Sequence, residues 1–444
     1  MSWKRYPEYK DSGVEWLGNV PVGWQVKRLR FNILTNPTKA EVKSITGDTL
    51  VSFVPMESVS EYGGLSLDQT KSLDEVSNGY TYFCNGDVLV AKITPCFENG
   101  KGSIAEGLEN GIGFGTTELH VLRPKKKIDF RYLFYLTISY AFRQIGKSYM
   151  YGAGGQKRVP DDFIRNLRHP IPDISEQCII AAFLDRETER IDELIAKKER
   201  QIKLLQEKRA ALISHAVTKG LSPDVKMKDS GIEWLRDIPE SWDVIRFKYV
   251  LSVPLQYGAN ESAQYDEPSW PRYIRITDVN ENGNLRDDTF KSLPEEVAVP
   301  YLLHEGDLLF ARSGATVGKT FLYLKSWGRA AYAGYLIRGR FQQQCMMPTF
   351  AAYFCRSYNY WDWLRSSFIQ ATIQNVSAER YANMIIPIPP LPEQTSISAF
   401  LDRETKRIDT LINKVQESIA KLSEYRTALI SAAVTGKIDV RGSV

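Results

Sequence analysis

The stretch SGATVGKT, residues 313–320, is where this chain comes nearest to chemistry on a phosphate. A P-loop has the spacing G-x-x-x-x-G-K, which supplies enough backbone N–H groups to wrap the anion. Gly314 and Gly318 have only three residues between them, and the FLYLK that follows continues as strand rather than opening a helix. The stretch is therefore expected to be a hairpin loop with basic tips. GAGGQK, residues 152–157, lacks a preceding strand and the G-x-G-x-x-G spacing, and reads as a flexible loop. No GxSxG, HExxH or Asn/Asp-Pro-Pro-aromatic run occurs, and no pair of carboxylates sits where acid–base work would need it. The four histidines are far apart and the five cysteines form no CxxC, so no metal site is expected. The chain does not read as a catalyst.

Composition narrows the class. The 444 residues are 43% apolar and 25% charged, ordinary for a globular protein of two or three domains. Unpaired cysteines, no signal-peptide core in MSWKRYPEYKDSGVEW and no bilayer-length apolar run point to a cytoplasmic chain with reduced thiols. A net charge of +4 neither announces nor excludes a nucleic-acid partner.

The elements that must position any function come in duplicate. AFLDRETERIDELI at 182–195 returns as AFLDRETKRIDTLI at 399–412. KDSGVEWLGNVPVGWQVKRL from Lys10 returns as KDSGIEWLRDIPESWDVIRF from Lys228. GDVLVAK at 86–92 matches GDLLFAR at 306–312, and HPIPDISEQ at 169–177 matches IPIPPLPEQ at 386–394. The segments between these anchors diverge almost completely. Each unit thus reads as a variable mixed α/β part followed by a near-constant helix. Pro170, Pro172, Pro387, Pro389, Pro390 and Pro392 read as rigid hinges between part and helix. Asp173-Ile174-Ser175, which replaces the second Pro-rich segment, is expected to soften the first hinge.

Alternating steps of four and three from Ile191 mark a coiled-coil seam of Ile191, Ile195, Lys198, Ile202, Leu205, Arg209, Leu212 and Ala216. The second copy gives Ile408, Ile412, Val415, Ile419, Leu422, Arg426, Leu429 and Ala433. Each helix is expected to run roughly 32 residues. One alone leaves its stripe in water, so the two are expected to pair. The fold class is α+β: two mixed α/β domains separated by two long helices pairing as an antiparallel coiled coil, in a pseudo-twofold internal repeat. The segments are 1–175, helix 176–220, 221–392 and helix 393–444. Arg209 and Arg426 interrupt the seam at equivalent places and are expected to snorkel past it. The carboxylates of FLDRETERID are expected on the solvent or partner side.

Duplicated variable domains joined by near-identical helices resemble one family, the specificity (S) subunits of type I restriction-modification systems. WLGNVPVGW/WLRDIPESW, GDVLVAK/GDLLFAR, IPDISEQ/IPPLPEQ and the AFLDRET helix carry the resemblance over essentially the whole chain. It implies two target-recognition domains, each reading half of a bipartite, asymmetric double-stranded DNA site. It also implies helices that act as a ruler between half-sites and dock two methyltransferase subunits. Restriction/translocase subunits would join through the complex. This chain would hold no cofactor, with S-adenosylmethionine, ATP and Mg on the partners. The candidates for DNA contact are Lys92, Thr94, Lys101, Gln156, Lys157 and Arg158 in the first domain. In the second they are Arg312, Ser313, Thr316, Lys319, Gln374 and Asn375. Arg and Lys suit guanine, and Asn and Gln suit adenine, in the major groove. Tyr149 and Tyr151, beside Lys147, are candidates for packing against DNA. Three other readings stand beside it: a coiled-coil scaffold that joins proteins without DNA, an ATPase built around Gly314–Thr320, and an orphan or phase-variable subunit of the same family.

Overall fold

A computed structural model describes residues 3–153, 155–280, 283–366 and 375–442. The chain divides into two compact units, one of residues 1–198 with 416–444 and the other of residues 199–415. Each unit therefore holds one variable part, half of its own long helix and half of the other copy's.

In the first unit an antiparallel sheet runs Ile33–Thr35, Leu119–Pro124, Val88–Ala91, Gly102–Ile104. The second unit repeats it with Leu251–Tyr257, Leu336–Phe341, Leu308–Ala311 and Thr320–Leu322. The GDVLVAK and GDLLFAR runs supply the inner strands Val88–Ala91 and Leu308–Ala311. They are apolar throughout because both sheet faces are covered. Val88 and Val90 face the helical core, while Leu89 and Ala91 face a second apolar cluster. Leu308 and Phe310 divide from Leu309 and Ala311 in the same way. The Asp of each run is buried and structural. Asp87 Oδ2 accepts from Cys84 N at 2.9 Å, and its carboxylate pairs with Arg123 Nε and Nη2 at 2.7 and 2.8 Å. Asp307 does the same with His304 N and Arg340.

A pair of aromatic-rich helices covers one face of each sheet. Phe130–Ile138 and Tyr140–Ser148 meet at Ser139, as Pro348–Phe354 and Tyr358–Ser366 meet near Ser357. Each serine hydroxyl accepts from a backbone N–H of the second helix, Phe142 or Tyr360, and so starts a new axis.

The recurring anchors latch each variable part to the start of its helix. Trp24 Nε1 donates to Glu176 at 3.1 Å and Trp242 Nε1 to Glu393 at 2.9 Å. Gln177 accepts from Asp129 N at 2.8 Å and donates to Pro172 O at 2.9 Å. Gln394 accepts from Met347 N at 2.8 Å and donates to Pro389 O at 2.9 Å. Gly436 and Gly220, just beyond the helix ends at φ 71° and 77°, lie against the same tryptophans, where a Cβ on Gly436 would sit 2.5 Å from Pro21.

The proline segments are less hinge-like than the sequence suggests. Arg168–Ile171 and Ile385–Ile388 are strands paired antiparallel with Gln25–Arg28 and Asp243–Arg246. Two-stranded ribbons tolerate the missing N–H of Pro170 and Pro387. Asp173 has a local role at the first connection. Its carboxylate accepts from Glu176 N at 2.8 Å and so caps the helix.

The long helices are Ile174–Lys219, 46 residues, and Leu391–Val434, 44 residues, longer than the seam alone implies because they begin directly at the Asp173 cap and after Pro390. Between 192 and 208 the helix is exposed everywhere except at seam positions 195, 198, 202 and 205. Arg209 and Arg426 do not merely snorkel. In one unit Arg209 Nε donates to Asp409 at 2.9 Å, and in the other Arg426 is ion-paired with Asp192. Equivalent residues thus make equivalent pairs, with the partner helix antiparallel within each unit. Nor is all of FLDRET turned outward. Asp185 accepts from Tyr135 Oη at 2.8 Å and Asp402 from Tyr353 Oη at 2.6 Å.

One buried polar pair belongs to the first unit alone. His169 is fully buried, with Nε2 at 3.3 Å from Asn32 Nδ2 and Nδ1 at 3.0 Å from Pro170 O. The second unit has Val250 and Ile386 at these places. Burial pushes the His169 imidazole down from 6.5 to about 4. Above pH 6.5 both folded and unfolded chains hold it neutral, and its contribution to stability is intact. As pH falls from 6.5 to about 4 only the unfolded chain takes the proton, so stability is lost. The loss is on the order of 3 kcal/mol. Changing Asn32→Val with His169→Ile should flatten the pH dependence of urea unfolding over that window. An unchanged slope would contradict the assignment.

Candidate nucleic-acid interface

The two inner strands end at the same backbone corner. In the first unit Lys92 N donates to Glu118 O at 3.0 Å and Lys92 O accepts from Val159 N at 2.8 Å. In the second, Arg312 N donates to Tyr335 O at 3.1 Å and Arg312 O accepts from Val376 N at 2.9 Å. Bridges Ile93↔Arg158 and Ser313↔Asn375 close the two corners alike. The following hairpin is equivalent too, since Ala91 N donates to Lys101 O and Ala311 N to Lys319 O, at 3.0 and 2.9 Å. Lys92, Glu118, Arg158 and Lys101 therefore correspond to Arg312, Tyr335, Asn375 and Lys319. The backbone is the same, and three of the four side chains differ.

The first corner is built around an ion pair. Arg158 Nε and Nη2 donate to Glu118 Oε2 and Oε1 at 2.9 and 2.8 Å. That hydrogen bonding lowers the Glu118 carboxyl and raises the guanidinium. The pairing is side-on, so the end-on fork of Nη1 and Nη2 remains for another planar acceptor. Burial pushes the half-buried Lys92 ammonium down, and Glu118 opposes the shift. Thr94 has a stapling role: its Oγ1 donates to Lys157 O and accepts from Lys157 N, both at 2.9 Å. Gln156 and Lys157 are exposed on the loop it holds. Lys101 Nζ turns to Met56 O at 3.3 Å. Tyr149 and Tyr151 are exposed, and neighbouring Lys147 is paired with Glu98 at 2.9 Å.

The second corner presents an arginine that pairs with no carboxylate among the described residues. The Arg312 guanidinium lies over the Tyr257 ring at 4.8 Å from the centroid, and its Nε finds no hydrogen-bond partner among the described residues. Tyr257 is itself fixed by accepting from Ala378 N at 3.0 Å. Ser313 and Thr316 are half-buried in the loop, and Lys319 and Asn375 are exposed. Strand Thr320–Leu322 pairs back on Leu308–Ala311, so the SGATVGKT loop is a hairpin. Gln374 lies outside the described residues.

Sequence reasoning passed over Glu118, Tyr335 and Tyr257. The first two immediately precede the strand facing the GDVLVAK or GDLLFAR run, a place legible only once strand pairing is known. No group of His, Cys, Asp or Glu able to hold a metal occurs among the described residues, and no described helix is long and apolar enough to cross a membrane.

Comparison with known proteins agrees with this architecture. A model of the type I restriction modification DNA specificity domain matches residues 21–204 and again 239–421. The chain belongs to this family and is a type I restriction-modification specificity subunit. It is 44% identical over 160 residues to the Escherichia coli type I restriction enzyme EcoAI specificity subunit, over 36% of this chain but only 27% of that relative's length. It is 23% identical over 441 residues to the putative MjaX specificity subunit of Methanocaldococcus jannaschii, covering 96% of both. A solved chain from work on complex assembly and conformational transition of the type I R-M system superposes with a TM-score of 0.74 at 18% identity, over 96% of this chain and 99% of that one. The HsdS subunit from Thermoanaerobacter tengcongensis gives 0.54 at 17% identity, with the same coverage.

Proposed function

We propose that this chain reads a bipartite, asymmetric double-stranded DNA site, one half through each corner, and recruits the methyltransferase and restriction subunits of a type I complex. The observation that carries the reading is the pair of corners, alike in backbone hydrogen bonds and unlike in side chains. Two readers of one design with different donors select different bases. Adenine methylation with S-adenosylmethionine, and cleavage using ATP and Mg, fall to the partner subunits. The chain itself acts by choosing where they work.

The helices support the recruiting role. Arg186, Glu187, Arg190 and Leu194 recur as Arg403, Glu404, Arg407 and Leu411. Glu187 pairs with Arg190 at 3.4 Å and Glu404 with Arg407 at 3.9 Å, while Leu194 and Leu411 stay 39% and 43% exposed. A charged and apolar face repeated at these four positions suits two copies of one partner, and we assign it to two methyltransferase subunits. Mass measurement of the co-expressed complex should give two per chain. Arg407→Glu should reduce that number to one, and a wild-type complex with only one would contradict the assignment.

Arg312→Ala should relax one base of one half-site, costing about 1–3 kcal/mol of discrimination there. The other half-site should read as before. A uniform loss across all sequences with a shallower salt dependence would make Arg312 a phosphate contact instead.

The helices also set the spacer between half-sites in this reading. Four residues inserted after Ile195 add about 6 Å of helix and nearly preserve the seam. At about 3.4 Å of rise per base pair the spacer should grow by one or two pairs. An active complex that methylates at the old spacing would rule out the ruler.

A further inference from the structure

We infer that the residue preceding the strand opposite each reading run, Glu118 in the first unit and Tyr335 in the second, is a further specificity position of each corner. The inference deepens the DNA-reading role proposed above and rests on it. Glu118 already meets its backbone obligations, since its O accepts from Lys92 N and its N donates to Thr116 Oγ1 at 3.2 Å. What remains is the carboxylate, whose hydrogen bonds go to Arg158 alone among the described residues. A carboxylate at a surface meant to approach phosphates is repelled by them, so its presence needs a compensating role. The side-on pair supplies one. It holds the long Arg158 side chain in one plane and leaves the end-on fork to span the O6 and N7 acceptors of guanine.

Glu118 is thus a positioning residue acting through Arg158. At the second corner the residue in the Arg158 place, beside Arg312, is Asn375, whose short amide suits the N6 and N7 pattern of adenine and needs no carboxylate to steady it. Tyr335 stands at the Glu118 position there with 66% of its surface exposed, and offers a ring for contact with a neighbouring base or thymine methyl. The pairing of identities follows: carboxylate with arginine, ring with amide.

The test uses the full chain in complex with its methyltransferase subunits and a duplex library varied at every position of both half-sites. Arg158→Ala should abolish a guanine preference at one position of the first half-site. Glu118→Ala should weaken preference at that same position by about tenfold, and Glu118→Gln, which keeps an acceptor, should fall between. A purely structural role would lower methylation of all sequences together and leave the preference intact. If Arg158→Ala relaxes a base and both Glu118 variants read like the wild type, the Glu118 inference is overturned while the half-site reading stands. If Arg158→Ala relaxes no base, the corner is not a reader and both fall. Tyr335→Ala, at an exposed position, gives an arm independent of the folding of the Glu118 variants. It should relax the second half-site alone, and an unchanged second half-site would overturn the Tyr335 assignment.

Discussion

The buried glutamine at the head of each long helix is the contact on which the rest depends. A helix N-terminus leaves N–H groups unpaired, and a variable domain beside it has its own chain ends to satisfy. Gln177 and Gln394 bond to both sides at once, accepting from the N–H of Asp129 or Met347 in the domain. Each donates both to a domain carbonyl, Lys127 O or Cys345 O, and to a carbonyl of the connection, Pro172 O or Pro389 O. Glu176 and Glu393 add the indole N–H of Trp24 and Trp242. Removing such a side chain strands several buried polar groups, each costing about 1–3 kcal/mol. No apolar residue can substitute, which is why Glu-Gln and the second Trp recur while the intervening sequence does not.

That constraint separates what each domain may vary from what it may not. The inner strand must bury both faces, and its leading Asp must meet the Arg of the neighbouring strand, as Asp87 meets Arg123 and Asp307 meets Arg340. Beyond the strand's last residue the backbone still closes the same corner, but the side chains there owe nothing to the core. Lys92, Glu118 and Arg158 on one side, and Arg312, Tyr335 and Asn375 on the other, are therefore free to differ. A fixed frame with a variable edge is what a reader of changing sequence requires.

Much of this was legible in the residues. The spacing of Ile191, Ile195, Ile202 and Leu205, and of Ile408, Ile412 and Val415, marks helix positions that are buried or half-buried, because a period near 3.5 keeps one stripe of a helix on one side. The departure of SGATVGKT from P-loop spacing pointed to a hairpin loop, and Thr320–Leu322 does pair back on Leu308–Ala311. Less legible was anything set by pairing across the chain. Arg209 reads as a flaw in the seam until Asp409, 200 residues away, is placed beside it. Asp185 reads as solvated until Tyr135 reaches it. The prolines read as hinges because a two-stranded ribbon that forgives them cannot be inferred from one strand. Glu118 gave no local signal, since its meaning lies in Arg158, 40 residues on.

The central claim is that two unlike readers on one frame define one asymmetric DNA site. The most direct measurement is the adenine methylome of a host that carries the partner subunits, with and without this chain. The account predicts that the chain's presence alone adds methylation at a motif of two different specific half-sites separated by a fixed run of unspecified bases. No new motif, or a single uninterrupted palindrome, would contradict it.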